Sequence, residues 1–330
     1  MSTVFFITSP EGTNRQKYFP ERLLAELAQL GEVRLNTTGH QLTEEQLCAE
    51  APDATVLLTH WGAPQITASY LNANPSLRLI AHCAGTVAHI ASAESYDRGI
   101  PCVSANPVMA KYVAEAVLGL IIASLRGFRE NDCLLRAGVW TKKLPTASLF
   151  DVSVGLVGLG TVGRELLNLL APFGTPVTVY DPYLPAGALD PWENARAADF
   201  AEVLEADVVS VHASQSPETY HMMNAAAFAR MREGATFINT SRGSLVDTEA
   251  AVRAIREKHL RAAFDVYEHE GGPQEEFADA ERVLLQPHVA AQPAGARMTE
   301  AVIDDIRRFL GGEPLRLAVS RAQFERMTKE

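Results

Sequence analysis

Short runs of consecutive apolar residues alternate with amphipathic stretches along most of the chain. In the first third, TVFFIT, EVRLN, ATVLLTH, LRLIAHC and IPCVS are separated by stretches such as RLLAELAQL, whose leucines recur at helical spacing. Uninterrupted apolar runs predict strands covered on both faces, and helices between them predict parallel β–α units rather than sandwiches or bundles. The alternation stops at a long helical stretch, Val108 to about Ala137, followed by a polar loop from Gly138 to Ser148. It resumes at SVGLVG and continues through PVTVYD, DVVSVHA, ATFINTS, RAAFDVY and RVLLQPH. A last helix, AGARMTEAVIDDIRRFLGG, precedes a short tail. There is no internal repeat at a fixed period and no low-complexity segment. The pattern predicts two α/β domains joined by a long helix, with the tail docked on the first.

The whole-chain properties narrow this picture without changing it. With 330 residues, 47% apolar and 21% charged, the chain has an ordinary globular composition. A net charge of −11, with no basic cluster larger than Lys142-Lys143 or Arg307-Arg308, argues against a nucleic-acid partner. The N-terminus enters an apolar strand directly, without a basic region or a small-residue cleavage site. The apolar run AVLGLIIASL is about half the roughly 20 residues of a membrane span, so no membrane partner is expected. Cys48, Cys83, Cys102 and Cys133 are far apart, with no C-x-x-C and no histidine at ligand spacing. They read as small buried hydrophobes, and no metal site is expected. A reduced, cytoplasmic protein follows.

VGLVGLGTVGRELLNLLAPFGTPVTVYDP is the most specific stretch. Gly158, Gly160 and Gly163 form G-x-G-x-x-G between an apolar strand and a helix carrying Leu166, Leu167 and Leu170. A second strand ends in Asp181, eighteen residues after Gly163. Strand, turn, helix and acidic residue together meet the dinucleotide fingerprint, which the three glycines alone would not. The first glycine allows the tight turn, the second lets pyrophosphate approach, and the third lets helix and strand pack closely. Amides at the helix start attract the phosphates. Asp181 can accept hydrogen bonds from the adenosine ribose, and its charge repels a 2′-phosphate, so NAD is expected over NADP. About 150 residues precede the fingerprint, which places the substrate-binding part largely first.

ATFINTSRGSLVD then places a guanidinium, Arg242, where a buried strand gives way to a loop ahead of a helix starting near Asp247. Open parallel sheets put their ligands there. Glu270 and His288 also lie just beyond predicted strands, so one sheet edge can gather all three. At these residues the sequence resembles the D-isomer-specific 2-hydroxyacid dehydrogenases, relatives of phosphoglycerate dehydrogenase and glyoxylate/hydroxypyruvate reductase. GLVGLGTVG, ADVVSVHASQSPET, FINTSRGSLVD, AAFDVYEHE and PHVA carry the resemblance, with VAEAVLGLIIASLR and LRLIAHCAGT matching an interdomain helix and a substrate loop.

The resemblance spans essentially the whole chain. It implies two doubly wound parallel-sheet domains: a Rossmann NAD domain over 106–290, and a flavodoxin-like substrate domain from 1–105 and 291–330. It implies that Arg242 grips a substrate carboxylate and polarises the keto oxygen, that His288 is the general acid/base, and that Glu270 is its partner. Glu268 is the competing carboxylate; Glu270 is preferred because the family's glutamate falls five residues after the aspartate matched by Asp265. Thr161 and Val162 in the turn, His212, Thr240 and Asp265 join the cofactor contacts, with Asp265 near the nicotinamide amide. Gly85 and Thr86 supply backbone amides for the substrate carboxylate, and the interdomain helices build a homodimer. Elementary chemistry supports these roles. Hydride moves at carbon while a proton moves at oxygen, which calls for a group titrating near neutrality. A carboxylate beside an imidazole favours the charged form, and a planar guanidinium suits bidentate carboxylate binding.

The chain departs from the family in several places. Gly271-Gly272 stands where proline commonly follows the glutamate, Pro293 replaces a helix-capping threonine, Ser214 a proline, and Thr161 a phosphate-turn arginine. Ala88 stands near the position of the substrate loop's usual aspartate. Lys142 and Lys143, in the loop after the interdomain helix, are candidates to meet an acidic substrate tail in a neighbouring subunit, against the plainer reading of two solvated lysines. His60, His82 and His89 are candidates to line the first domain's side of the cleft, with packed or solvated histidines the default. Two rival functions stand beside the dehydrogenase: an NAD(H)-sensing protein like the family's corepressor branch, and a dehydrogenase of another small anion such as phosphite.

Overall fold

A computed structural model describes residues 3–278 and 280–327. The chain divides into two compact units, Met1–Met109 with Pro293–Glu330, and Ala110–Gln292. Both divisions fall a few residues from the boundaries at 105/106 and 290/291 read from the sequence. The first lies inside the helix Asn106–Leu125 rather than at its start.

The first unit holds a five-stranded sheet of β1 (Val4–Ile7), β2 (Glu32–Leu35), β3 (Val56–Thr59), β4 (Leu79–His82) and β5 (Cys102–Ser104). All pairings are parallel, and the strand order is β2-β1-β3-β4-β5. Every residue of β1, β3 and β4 is buried, as expected of strands covered on both faces. The order reverses between β1 and β3, the flavodoxin-like pattern with its switch point. Helix Ala296–Leu310 returns to this unit and buries Met298, Val302, Ile303 and Ile306. The tail then docks beside it. Asp305 accepts the amides of Arg316 and Leu317, Ala318 bridges to Val103, and the Phe324 ring lies 5.1 Å from that of Tyr96.

The second unit holds seven parallel strands: β6 (Val154–Val157), β7 (Val177–Tyr180), β8 (Ala195–Ala197), β9 (Val208–Val211), β10 (Thr236–Asn239), β11 (Arg261–Phe264) and β12 (Val283–Leu285). Their order, β12-β11-β10-β9-β6-β7-β8, starts at the centre, runs to one edge, and crosses back beside β6. That is the doubly wound dinucleotide-binding order with its switch point between β6 and β9. Phe228, Phe237 and Phe264 form the heart of the core, with ring centroids 5.2 and 5.7 Å apart. Burying each such ring contributes about 2–3 kcal/mol.

Four details differ from the sequence reading. The helical stretch from Val108 is two helices, Asn106–Leu125 and Phe128–Arg136, parted at Gly127 in a left-handed conformation (φ 59°). Strand β8 went unread because its edge residues are half-buried to exposed and present no apolar run. Cys83 and Cys102 are buried, but Cys48 is half-buried and Cys133 exposed. Finally, Asn106–Leu125 is long and apolar enough to cross a bilayer by length and composition, with a mean hydropathy of 1.8. The sequence reading counted only the run between Glu115 and Arg126, although Lys111 and Glu115 interrupt the helix without ending it. Ala110, Val113, Ala114, Val117 and Ile121 of this helix are buried in the fold.

One buried ion pair ties the second unit's surface to its sheet. Arg261 of β11 meets Glu130 of helix Phe128–Arg136 through two bonds of 3.0 and 3.1 Å. Its guanidinium also donates to the Pro145 carbonyl at 2.8 Å, in the loop that follows that helix. Both side chains are less than a tenth exposed.

Candidate active site

The glycine-rich turn sits at the switch point of the second sheet. Gly158 follows β6 with φ 95°, and a Cβ there would lie 2.7 Å from the Ala213 nitrogen in the loop after β9. Only glycine allows these two loops to approach so closely. A Cβ at Gly163 would lie 3.0 Å from the Gly158 carbonyl, so helix Thr161–Leu170 packs directly on the turn. A Cβ at Gly160 would meet nothing within 4 Å. That opening lies at the start of the ten-residue helix Thr161–Leu170, whose N-terminal dipole favours an anion there. These residues fit a dinucleotide pyrophosphate. Asp181, just past β7, accepts the amides of Leu159 and Tyr183 at 2.8 and 2.9 Å, one on each oxygen. Its carboxylate is thereby anchored to the turn, and each oxygen keeps a lone pair for a ribose hydroxyl.

Around the same sheet edge, His212 follows β9 and its Nε2 lies 2.9 Å from Ser210 Oγ, with burial pushing its pKa down to about 4. Thr240, just past β10, has a buried hydroxyl with no hydrogen-bond partner among the described residues. Thr161 and Val162 occupy the first helical turn.

Arg242, Glu270 and His288 follow β10, β11 and β12, three neighbours in the sheet. Arg242 lies beyond the buried Asn239, whose side-chain amide donates to the Arg242 carbonyl at 2.9 Å, and its own Nη1 donates to the Ser241 carbonyl at 2.8 Å. His288 Nδ1 is 2.9 Å from Glu270 Oε2, with both side chains about half exposed. Glu268, the competing carboxylate, turns instead to His221. His288 has a left-handed backbone, φ 53°, uncommon for a non-glycine residue. Asp265 shows what holds it there. Only 2% exposed, its carboxylate accepts the amides of Val289 and Ala290 at 2.8 and 3.1 Å, the two residues after the histidine. Burial raises the Asp265 pKa above the usual carboxylate range, against the lowering effect of those amides. A cavity of about 380 Å³ is lined by Glu270 and His288 with Tyr267, Gly271, Gly272 and Gln274 among others.

Sequence reading missed two members of this region. Tyr267 lies 2.9 Å from the Gln286 carbonyl and so fastens the β11 loop to the strand end before His288, while burial pushes its pKa up to about 12. His221 pairs with Glu268 across 47 positions of sequence, where no local pattern signals it. Lys142 and Lys143 are exposed. Among the described residues no group of three or more histidine, cysteine or acidic side chains is placed to hold a metal.

In the first unit, Gly85 and Thr86 lie in the loop after β4. Ser104 Oγ reaches the carbonyls of Ala84, at 3.1 Å, and Gly85, and Thr86 Oγ1 accepts the Ala88 amide at 3.3 Å. His60 and His82 are buried at the ends of β3 and β4, and His89 is exposed.

The second unit is thus a dinucleotide-binding α/β domain carrying an arginine and a histidine–glutamate pair at one sheet edge. Residues 118–290 match the family model for the NAD binding domain of D-isomer specific 2-hydroxyacid dehydrogenases, and the chain belongs to that family. It is 34% identical over 259 residues to a glyoxylate reductase of Thermofilum pendens, covering 76% of each chain. It is 28% identical over 292 residues to a D-3-phosphoglycerate dehydrogenase of Methanocaldococcus jannaschii, covering 87% of this chain and 55% of that one. The chain spans about half the length of that relative. A crystal structure of a Pyrococcus horikoshii protein superposes with a TM-score of 0.80 at 25% identity, covering 98% and 97% of the two chains. The cofactor of the second unit is NAD.

Proposed function

We propose that this chain interconverts a D-2-hydroxy acid and its 2-keto acid with NAD(H), working mainly as a 2-keto acid reductase. The observation that carries the reading is the 2.9 Å contact between His288 and Glu270 at the edge of an NAD-binding sheet. The bound cofactor supplies or accepts the hydride at the substrate's second carbon. Arg242 grips the carboxylate and polarises the keto oxygen. His288 gives that oxygen its proton during reduction and takes it back during oxidation, while Glu270 holds the imidazole in orientation. Asp265 contributes by fixing the backbone just after His288. Gly158, Gly160, Thr161, Val162, Gly163, Asp181, His212 and Thr240 hold the dinucleotide. The first unit binds substrate, with the amides at Gly85 and Thr86 taking the carboxylate.

The protein acts as a homodimer in this reading. The stretch from Phe128 to Phe150 supports it, exposing Phe128, Leu135, Val139, Trp140 and Phe150, with Trp140 81% exposed. Several exposed large apolar side chains on one stretch of chain favour an interaction site. Sedimentation should give the mass of two chains, and a single-chain mass at all concentrations would remove this element.

The activity is tested by NADH oxidation across glyoxylate, hydroxypyruvate, pyruvate, phenylpyruvate, 2-oxoglutarate and phosphohydroxypyruvate. Turnover of at least one is expected, falling about 10²–10³-fold in Arg242→Ala. Tight NADH binding with no turnover, or reduction of NAD+ by phosphite with no keto acid turned over, overturns the reading.

A further inference from the structure

We infer that His221 and Glu268 form a positioning pair that sets the backbone on which Arg242 is carried. The inference rests on the reading that Arg242 grips the substrate, and it concerns two residues outside the set proposed to contact substrate or cofactor.

The segment after Arg242 is held from two sides. On one side, His221 donates its amide to the Ser244 carbonyl at 2.9 Å, and Met223 donates to Leu245 at 3.0 Å. Asp247 donates back to Met223 at 3.1 Å, closing a parallel bridge between Met223 and Val246. On the other side, Gly243 lies so close to the backbone of Tyr267 and Glu268 that a Cβ would fall 1.9 Å from the Tyr267 carbonyl carbon. The 243–247 segment is therefore a filling between 221–223 and 267–268. Backbone bonds hold the first layer to the filling, and close packing holds the second.

The side chains of His221 and Glu268 join the two outer layers. His221 Nε2 lies 2.6 Å from Glu268 Oε1, and the other carboxylate oxygen accepts Thr248 Oγ1 at 2.7 Å. Thr248 opens the helix that follows the filling, so one carboxylate ties all three pieces together. Burial works to raise the Glu268 pKa, but the bonds from Thr248 and His221 outweigh it and hold the carboxyl below its usual range. The group is thus a carboxylate at neutral pH. His221 takes up a left-handed backbone, φ 49°, and its ring stacks on Tyr220 at 4.0 Å. Such a conformation is strained for a non-glycine residue and persists only where the surroundings impose it. Glu268 is also two residues from Glu270, so the same tie reaches the loop bearing the partner of His288.

The test uses the full chain with Glu268→Ala, Glu268→Gln, Arg242→Lys and the double variant Glu268→Ala/Arg242→Lys. Hydrogen exchange on the protein without substrate reads the backbone. Glu268→Ala should speed exchange at Leu245, Val246 and Asp247 about tenfold, while β6 amides keep their protection. With the 2-keto acid turned over by the unaltered protein, Glu268→Ala should raise KM about tenfold, the scale of one lost charge-assisted hydrogen bond. NADH affinity should stay unchanged. Glu268→Gln, which keeps an acceptor for Thr248 or His221, should recover most of the loss. In the Arg242→Lys background, Glu268→Ala should add little, because both changes act through one group. Unchanged exchange over 243–247 overturns the inference whatever the substrate is. So does an equal loss in both backgrounds with KM unmoved, the signature of general destabilisation. Faster exchange together with no turnover by the unaltered protein upholds the positioning and overturns the proposed activity instead.

Discussion

Both parallel sheets place histidines at the carboxyl ends of their strands, and the two units keep them differently. In the first unit, His60 is 6% exposed and His82 only 1%. His60 packs its ring 4.1 Å from Tyr18 and 4.4 Å from Trp61, and His82 meets the Thr59 hydroxyl at 2.9 Å. Burial pushes both pKa values down to about 3, His60 adding to the effect on His82. In the second unit, His288 and His221 each face a carboxylate oxygen, at 2.9 and 2.6 Å. His212, which has a serine instead, is pushed down to about 4 by burial like the first unit's pair. A place at a sheet edge therefore does not make a histidine a proton donor. Burial with no carboxylate alongside withdraws His60, His82 and His212 from titration near neutrality, whereas His288 keeps a half-exposed ring and a carboxylate within reach.

The largest effect that sharpens this contrast is the loss of His288. In His288→Asn, kcat for 2-keto acid reduction should fall about 10²–10⁴-fold. NADH binding, measured by fluorescence titration, should hold, since the glycine cradle is untouched. An unchanged kcat would place the proton donor elsewhere and erase the distinction between the two kinds of histidine.

Next in size is the acid response of the first unit. His60 and His82 have folded-state pKa values of about 3, well below the ordinary 6.5. Between those limits the unfolded chain binds protons that the folded chain refuses, so stability is full above about pH 6.5 and falls as the pH drops toward 3. Each histidine contributes a slope of at most about 1.4 kcal/mol per pH unit across that window. Urea denaturation between pH 7 and 5 should show the slope, and replacing both histidines with glutamine should flatten it. Glu268 acts in the same direction at lower pH. Its carboxyl is held down, so its contribution is present above the ordinary glutamate value and fades as the pH falls through the folded one.

The strands were legible because their burial on both faces writes continuous apolar runs, as VFFI, VLLT and VGLV show. The cradle was legible because its glycines serve local geometry: a left-handed turn at Gly158 and close packing at Gly163. Gly127 looked like an isolated glycine within a continuing helical pattern, and only its left-handed φ shows the break. Strand β8 carries so little burial that it left no apolar signature. The pairing of Glu270 with His288, and of Glu268 with His221, depends on which way alternate side chains of one loop turn. Composition around FDVYEHEGG holds no trace of that, and the preference for Glu270 over Glu268 rests only on the family's spacing after Asp265. Asp265 is a similar case: an aspartate after a strand is visible, but the two amides it receives come from the loop after β12, more than twenty residues further along the chain.

The Arg261–Glu130 link has a consequence for association. Through the Pro145 carbonyl and helix Phe128–Arg136 it fastens both sides of the stretch that exposes Leu135, Val139 and Trp140. Ordering a mobile loop on contact costs roughly 0.5–1.5 kcal/mol for each side chain immobilised. Here the backbone on both sides of the stretch is already tied down in the folded chain, so in the proposed homodimer the partner would meet a stretch anchored at both ends before it arrives.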